Sequence, residues 1–167
     1  MRYAEARGRI KSGDLLAWSH RGWRSWYDLK VQAVRVFTRS EYCHVGIAWA
    51  VSGRLFALEA VLTGVRIFPL SRMLPFYWVP LRATWTREVE AWALAQVGEP
   101  YSQWRAVLAG LGLLRPGEDS IWQCAEYAAE VARRGGVELG TEATPTAVVL
   151  AAQRRPKARL ILVEDSE

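Results

Sequence analysis

The chain has 167 residues, of which 51% are hydrophobic and 23% are charged. These proportions are typical of one globular domain that buries its own core, and they exclude an intrinsically disordered chain. The net charge of +5 comes mainly from arginines scattered along the chain. This distribution predicts a solvated basic surface, which suits an anionic polymer or a membrane surface, rather than a groove for a specific nucleic acid.

The two cysteines are too few for a disulfide framework, so they indicate a reducing compartment or a free reactive thiol. Residues 1–16 lack the apolar stretch of a signal peptide, and the longest apolar run, residues 106–114, is too short to span a bilayer. We therefore expect a protein that is cytoplasmic as synthesised. If it acts on a cell wall, a holin, a virion or a secretion machine has to deliver it, and a phage-derived origin would meet that need.

After a polar lead-in over residues 1–12, the apolar pattern predicts strands and helices in a mixed order. The predicted strands cover residues 15–18, 43–51, 54–62, 65–68, 76–81 and 159–163. The predicted helices cover residues 28–38, 86–97, 101–111, 122–134 and 144–153. The strongest hairpin signal is Ser52-Gly53, between the second and third strands. This order favours the α+β class, with helices packed on an antiparallel sheet in a single domain over residues 1–167.

The segment 120–136 places a cysteine at the start of a helix. Good helix formers run from Trp122 to Arg134, and the glycines that follow predict the end of the helix. Cys124 therefore lies in the first turn, where unpaired backbone N–H groups and the helix dipole favour an anion. Since the thiolate is the nucleophilic form of cysteine, Cys124 is a candidate nucleophile. The alternative is a small buried residue, as most free cysteines are.

The register of the predicted hairpin indicates a base for this nucleophile. If the turn closes symmetrically, opposed residues have numbers that sum to 105, so Gly46 lies opposite Glu59. His44 and Glu59 then share one face as diagonal neighbours, and Gly46 leaves room for the carboxylate to lean toward the imidazole. A carboxylate that fixes one ring nitrogen leaves the other free to deprotonate a thiol. The small residues of this face also suggest that the alanine-rich Cys124 helix covers it. The alternative is a surface pair on an exposed sheet.

Other residues are weaker candidates. Cys43 is predicted to point away from His44 and into the core. His20 lies in a Trp-rich loop, either as a substrate contact or as a solvated side chain. Some of the nine tryptophans are candidates to line a cleft for an extended substrate, and Trp122 is the one we assign to substrate binding. No paired CxxC, no HExxH and no Gly-rich phosphate loop is present, so we expect neither a metal nor a cofactor.

Five short motifs also suggest a family. In chain order they are GDLL (13–16), YCHVGI (42–47), ALEA (57–60), GEPY (98–101) and QCAE (123–126). Their order and spacing resemble those of circularly permuted papain-like amidases, relatives of the NlpC-type peptidoglycan hydrolases that include the YaeF/YiiX group. The resemblance spans residues 13–150. It implies a permuted papain-like fold in which the histidine precedes the cysteine.

The resemblance implies Cys124 as nucleophile, His44 as general base and Glu59 as the residue that orients the base. Tyr101 matches the tyrosine of the family's G-x-P-Y element, which implies that it lines the cleft. This chain departs from the family pattern at three positions: Cys43 and Ala125 each replace a common serine, and Ser102 replaces an aspartate. The similar lecithin:retinol type acyltransferases use a second histidine at the position of Glu59.

The function expected from these observations is that of a cysteine hydrolase that cleaves an amide bond, such as a peptide cross-link of the bacterial cell wall. A second reading is a lipid acyl hydrolase, acyltransferase or thioesterase that uses the same Cys-His site, with residues 106–114 facing the acyl chain. A third reading is a non-catalytic structural or binding module of a larger particle.

Overall fold

The computed structural model describes residues 1–19, 41–61, 64–98, 124–140 and 144–165. Six strands lie in these ranges: β1 (Leu15–Ser19), β2 (Tyr42–Val51), β3 (Arg54–Val61), β4 (Gly64–Pro69), β5 (Phe76–Val79) and β6 (Ile161–Val163). The α-helices of the same ranges are α1 (Tyr3–Ala6), α2 (Arg87–Ala95), α3 (Cys124–Arg134) and α4 (Pro145–Gln153), and a short 3₁₀ helix covers Leu70–Arg72. The helices predicted over residues 28–38 and 101–111 lie outside the described residues.

The strands form one antiparallel sheet in the order β4-β3-β2-β1-β5-β6, so the chain is α+β as predicted. The β2–β3 hairpin closes at Ser52 and Gly53, which both have positive φ, as the two central residues of a type I′ turn require. Val51 pairs with Arg54 and Ile47 pairs with Leu58. The predicted register of this hairpin is therefore confirmed.

The two faces of the sheet bury different clusters. One cluster contains Val45 and Ile47 of β2 together with the buried side of α3, including Ala128 and Val131. The other contains alternate residues of the same strands, such as Ala48, and packs beneath α1. The expectation that the alanine-rich helix covers the His44 face of the hairpin is wrong. Strand alternation fixes which residues share a face, but it does not say which face a helix will cover.

Local sequence explains where the helices begin and end. Thr86 and Thr144 cap α2 and α4, because each hydroxyl accepts a hydrogen bond from a backbone N–H of the first turn. At the end of α3, the N–H of Val137 bonds to the carbonyl of Ala132, while Gly136 has a φ of 80°. This is the Schellman arrangement, which needs a left-handed residue after the helix. In the part of the chain that the structure describes, no helix has the length and apolarity to cross a membrane.

Candidate active site

His44 and Glu59 meet on the β2–β3 hairpin. Glu59 is fully buried, and its Oε2 lies 2.5 Å from Nε2 of His44, which is 17% exposed. Gly46 provides the room for this contact. A Cβ at that position would lie 3.0 Å from the carbonyl oxygen of Leu58 and 3.3 Å from the Cβ of Glu59. The structure thus brings together the two side chains that the strand register predicted to be neighbours.

Arg66 is a third member of this cluster, and the sequence analysis missed it. It lies on β4 directly opposite Glu59, and its Nε and Nη2 are 2.8 and 2.7 Å from Oε1 of that carboxylate. The guanidinium also stacks on the ring of Phe68, 4.6 Å from its centroid. Both oxygens of Glu59 therefore have a partner. Extending the predicted register from β3 to β4 would have placed Arg66 opposite Glu59.

An irregularity in the sheet sets the position of His44. Trp18 pairs with His44, but the next pair is Ser19 with Tyr42, so the strand alternation is broken at Cys43. The Trp18 ring lies 5.3 Å from the imidazole and is itself held by a hydrogen bond from its Nε1 to the carbonyl of Met73. Cys43 is half-buried, and its Sγ donates to the carbonyl of Trp18. We predicted that Cys43 points away from His44; the bulge instead places both residues beside Trp18.

Cys124 is the first described residue of α3, is partly exposed and forms no disulfide. Its side chain lies close enough to His44 to raise the pKa of the imidazole. Because Nε2 of the imidazole is bonded to Glu59, Nδ1 is the ring nitrogen left for the sulfur. The structure therefore brings four side chains together: His44 and Arg66 are bonded to Glu59, and Cys124 lies beside His44.

The charges of this series reinforce one another. Burial by itself lowers the pKa of His44, but hydrogen bonds and charges from Cys124 and Glu59 outweigh it and raise the pKa to about 10. Burial also opposes ionisation of Glu59, yet His44 and Arg66 hold the pKa of that carboxyl below its usual range. The site therefore favours an imidazolium ion between a carboxylate and a sulfur.

The three proposed substrate contacts cannot be placed in this site. His20, Tyr101 and Trp122 all lie outside the described residues.

Comparisons with known proteins support the fold and leave the chemistry open. The crystal structure of the metalloprotein yiiX from Escherichia coli O157:H7, a DUF1105 protein, matches this chain with a TM-score of 0.60. The two sequences are 16% identical, and the match covers 94% of this chain and 99% of that chain. The predicted likeness to the YaeF/YiiX group is thus confirmed at the level of the fold. No protein-family model matches the chain, and no curated protein matches it.

Proposed function

We propose that this protein is a cysteine hydrolase that cleaves an amide bond, with Cys124 as the nucleophile and His44 as the general base and acid. The observation that carries the proposal is the hydrogen bond between His44 and the buried Glu59, together with a cysteine, Cys124, close enough to raise the pKa of the imidazole. Its parts have the roles that nucleophilic catalysis needs: a nucleophile, a base within reach and a third group that orients the base.

In this mechanism the sulfur of Cys124 attacks the substrate carbonyl after its proton has passed to His44. The tetrahedral intermediate collapses as the C–N bond breaks, and His44 returns the proton to the leaving amine. Water then attacks the resulting thioester, with His44 accepting the water proton and delivering it to the sulfur as the C–S bond breaks. Backbone N–H groups in the first turn of α3 are suited to stabilise the oxyanion of both intermediates.

Glu59 and Arg66 act through His44. The carboxylate holds Nε2 of the imidazole, which leaves Nδ1 for the sulfur, and it stabilises the positive charge that the ring carries after proton transfer. Arg66 keeps the carboxylate ionised and fixes its second oxygen. Glu59 and Arg66 are therefore positioning residues, and only Cys124 and His44 exchange protons or bonds with the substrate.

The substrate class we propose is a peptide cross-link of the bacterial cell wall. This choice rests on the motif resemblance to NlpC-type hydrolases and on the net charge of +5, which attracts an anionic wall polymer. A protein that acts there would be carried by a virion or released to the wall. A membrane lipid or thioester is the alternative substrate for the same two residues.

The name of yiiX raises the question of a metal in this chain as well. Within the described ranges, no group of three His, Cys, Asp or Glu side chains has the geometry to hold a metal ion. Both oxygens of Glu59 are bonded to His44 and Arg66, and the positive guanidinium of Arg66 disfavours a cation beside this carboxylate. The residues of the candidate site do not fit a metal, and the mechanism above uses none.

The proposal is tested by incubating the full chain with purified muropeptides and, separately, with acyl-lipid vesicles, and identifying the products by mass spectrometry. We expect a new amine and a new carboxylate from the muropeptide, a product that neither Cys124→Ala nor His44→Gln forms. Acyl release from lipid alone would move the assignment to the lipid hydrolases. A Cys124→Ala variant indistinguishable from the parent on both substrates would overturn the hydrolase reading and leave a structural or binding module.

A further inference from the structure

A basic groove lies at the opposite end of the sheet from His44. It encloses about 770 Å³ and is bordered by three segments of the chain that are distant in sequence. Its cationic side chains, which define the basic groove, are Arg9, Lys11, Arg82, Lys157 and Arg159. Asp14, at the base of the groove, precedes β1, whereas His44 pairs with Trp18 near the other end of that strand. The two positions are four residue steps apart along the chain, about 13 Å.

The five cations of the basic groove are all exposed, and none pairs with a carboxylate of the described residues. The contacts found for Arg9 are with Met1 Sδ at 4.0 Å and with the face of Trp78 at 5.8 Å. Among the described residues that border the groove the one acid is Asp14, which is 4% exposed and is already bonded to other groups. Positive charge therefore accumulates in this cavity, and no ion pair within the described ranges neutralises its five cations.

Asp14 holds the walls of the groove in place. Its carboxylate accepts hydrogen bonds from the N–H groups of Lys11 and Leu81 and from the indole of Trp78, at 2.9–3.0 Å. These bonds tie together the turn before β1, strand β5 and the chain that follows β5. Gly13 adds a close contact, because a Cβ there would lie 3.2 Å from that of Ala83. The basic side chains thus project from a fixed frame.

Two of the cations stand on backbone that is unfavourable for their residue type. Arg82 has a φ of 55° and Lys157 a φ of 64°. Apart from Ser52 in the hairpin turn, these are the non-glycine residues with positive φ among the described residues. The left-handed conformation is unfavourable for a residue with a Cβ. Strain of this kind is retained where the surroundings impose it, and it is concentrated at binding sites.

We propose that the basic groove binds a phosphate group, carried by a small soluble molecule or by a lipid headgroup. Arginine matches phosphate through two parallel hydrogen bonds, and lysine adds a mobile point charge. The volume is that of a small-molecule site, and the half-buried indole of Trp85 offers an apolar wall for the organic part of the ligand. This site is separate from Cys124 and does not depend on the proposed hydrolase activity.

Amine labelling provides the first test, because Lys11 and Lys157 are two of the three lysines in the chain. The intact protein is treated with an amine-reactive acetylating reagent, with and without pyrophosphate, and each lysine is quantified by mass spectrometry. We expect pyrophosphate to slow the labelling of Lys11 and Lys157 at least threefold and to leave that of Lys30 unchanged. A second arm replaces pyrophosphate with phosphatidylglycerol vesicles, and phosphatidylcholine vesicles are the control.

Protection by pyrophosphate assigns the ligand to soluble phosphates, and protection by the anionic vesicles alone assigns it to lipid headgroups. Equal protection of all three lysines, or none in either arm, would overturn the proposal.

Calorimetry with pyrophosphate then compares Arg82→Asn/Lys157→Asn with Arg54→Gln/Arg72→Gln, which removes the same charge from exposed positions elsewhere. We expect at least tenfold weaker binding in the groove variant alone. Equally weaker binding in both variants would show that pyrophosphate responds to the net charge of the protein, and it would overturn the proposed phosphate site. Cys124→Ala should bind as the parent does, even if the hydrolase proposal fails.

Discussion

Two carboxylates are buried in the described part of the chain, Glu59 and Asp14, and their surroundings are opposite. Glu59 lies between an imidazole and a guanidinium, and its pKa is lowered. Asp14 accepts hydrogen bonds from backbone N–H groups and an indole, which are neutral, and burial raises its pKa. Burial alone therefore does not identify a functional carboxylate. The charge of its partners decides whether it pairs with charged side chains, as at Glu59, or fixes the backbone, as at Asp14.

The largest expected effect tests whether the residue beside the His44–Glu59 pair, Cys124, is the nucleophile. Cys124→Ala should lower kcat/KM on the cleaved substrate by at least about 10³-fold, because it removes the nucleophile. The melting temperature should stay close to that of the parent. Cys43→Ala is the matched control, since it removes the other thiol and should retain most of the activity. Equal loss in the two variants would break the assignment of the nucleophile.

The next effect concerns the charge of Glu59. Glu59→Gln keeps the shape of the side chain but removes the charge that helps raise the pKa of His44 to about 10. In the parent, kcat/KM should fall as the pH rises through about 10, because deprotonated His44 cannot protonate the leaving amine. In the variant this alkaline limb should move to lower pH, and activity should fall about 100-fold. The pH–rate profile and the NMR titration of the His44 ring measure the shift. An unchanged alkaline limb would show that the charge of Glu59 does not help to set the pKa of His44.

A third effect compares the two carboxylates by pH. The lowered pKa of Glu59 contributes stability that is present above its ordinary value of 4.5 and is lost as the pH falls through the folded-state pKa. The raised pKa of Asp14 has the opposite sign: its contribution is most favourable below the ordinary 3.8 and declines as the pH rises through the folded-state value.

Asp14→Asn should destabilise the fold by about 1–3 kcal/mol, because an amide nitrogen then faces backbone and indole donors. Relative to the parent, this deficit should shrink as the pH rises from about 3 to about 7, whereas the deficit of Glu59→Gln should grow. Chemical denaturation of the parent and both variants at several pH values measures these slopes. If the two stability deficits changed with pH in the same direction, the pKa values of Glu59 and Asp14 would not be shifted in opposite directions.

The smallest effect is expected at Arg66. Its side chain is 41% exposed, so water screens its pairing with Glu59. Arg66→Gln should lower kcat/KM about fivefold, equivalent to about 1 kcal/mol, with little change in KM. Arg72→Gln, at an exposed position elsewhere, serves as the control. A loss as large as that of Glu59→Gln would make the arginine a principal determinant of the site, and equal effects of the two arginine variants would remove it from the site.

The hairpin shows how far sequence reasoning reached. The turn pair Ser52-Gly53 and the alternation of apolar residues were enough to place His44 beside Glu59, because register in a short hairpin follows from the turn. The bulge at Cys43 was not predictable, since it lies at the second residue of β2 and the one strand residue before it is too few to show a change in the alternation. The same pattern could not show which face α3 covers, as that depends on packing between distant segments.

Asp14 illustrates a second limit of prediction from sequence, which concerns contacts between distant residues. Its neighbour Gly13 suggested only a turn before a strand, but the hydrogen-bond partners Trp78 and Leu81 follow 64 and 67 residues later. Side-chain contacts over such a separation have no periodicity to read. The basic groove was missed for the same reason, because its cations come from three separate segments that look like scattered charge in the sequence.

The position of β4 at the outer edge of the sheet has a consequence for how the candidate site can be controlled. Within the described ranges, β4 has a full strand partner on one side, β3, and a single bridge from Val65 to Val97 on the other. Local opening costs less free energy at a sheet edge than in its centre. Every such opening would withdraw Arg66 from Glu59 without disturbing the hairpin. Native-state hydrogen exchange should therefore show faster exchange for the β4 amides than for those of β2, and the rate at β4 would set how often the carboxylate loses its guanidinium.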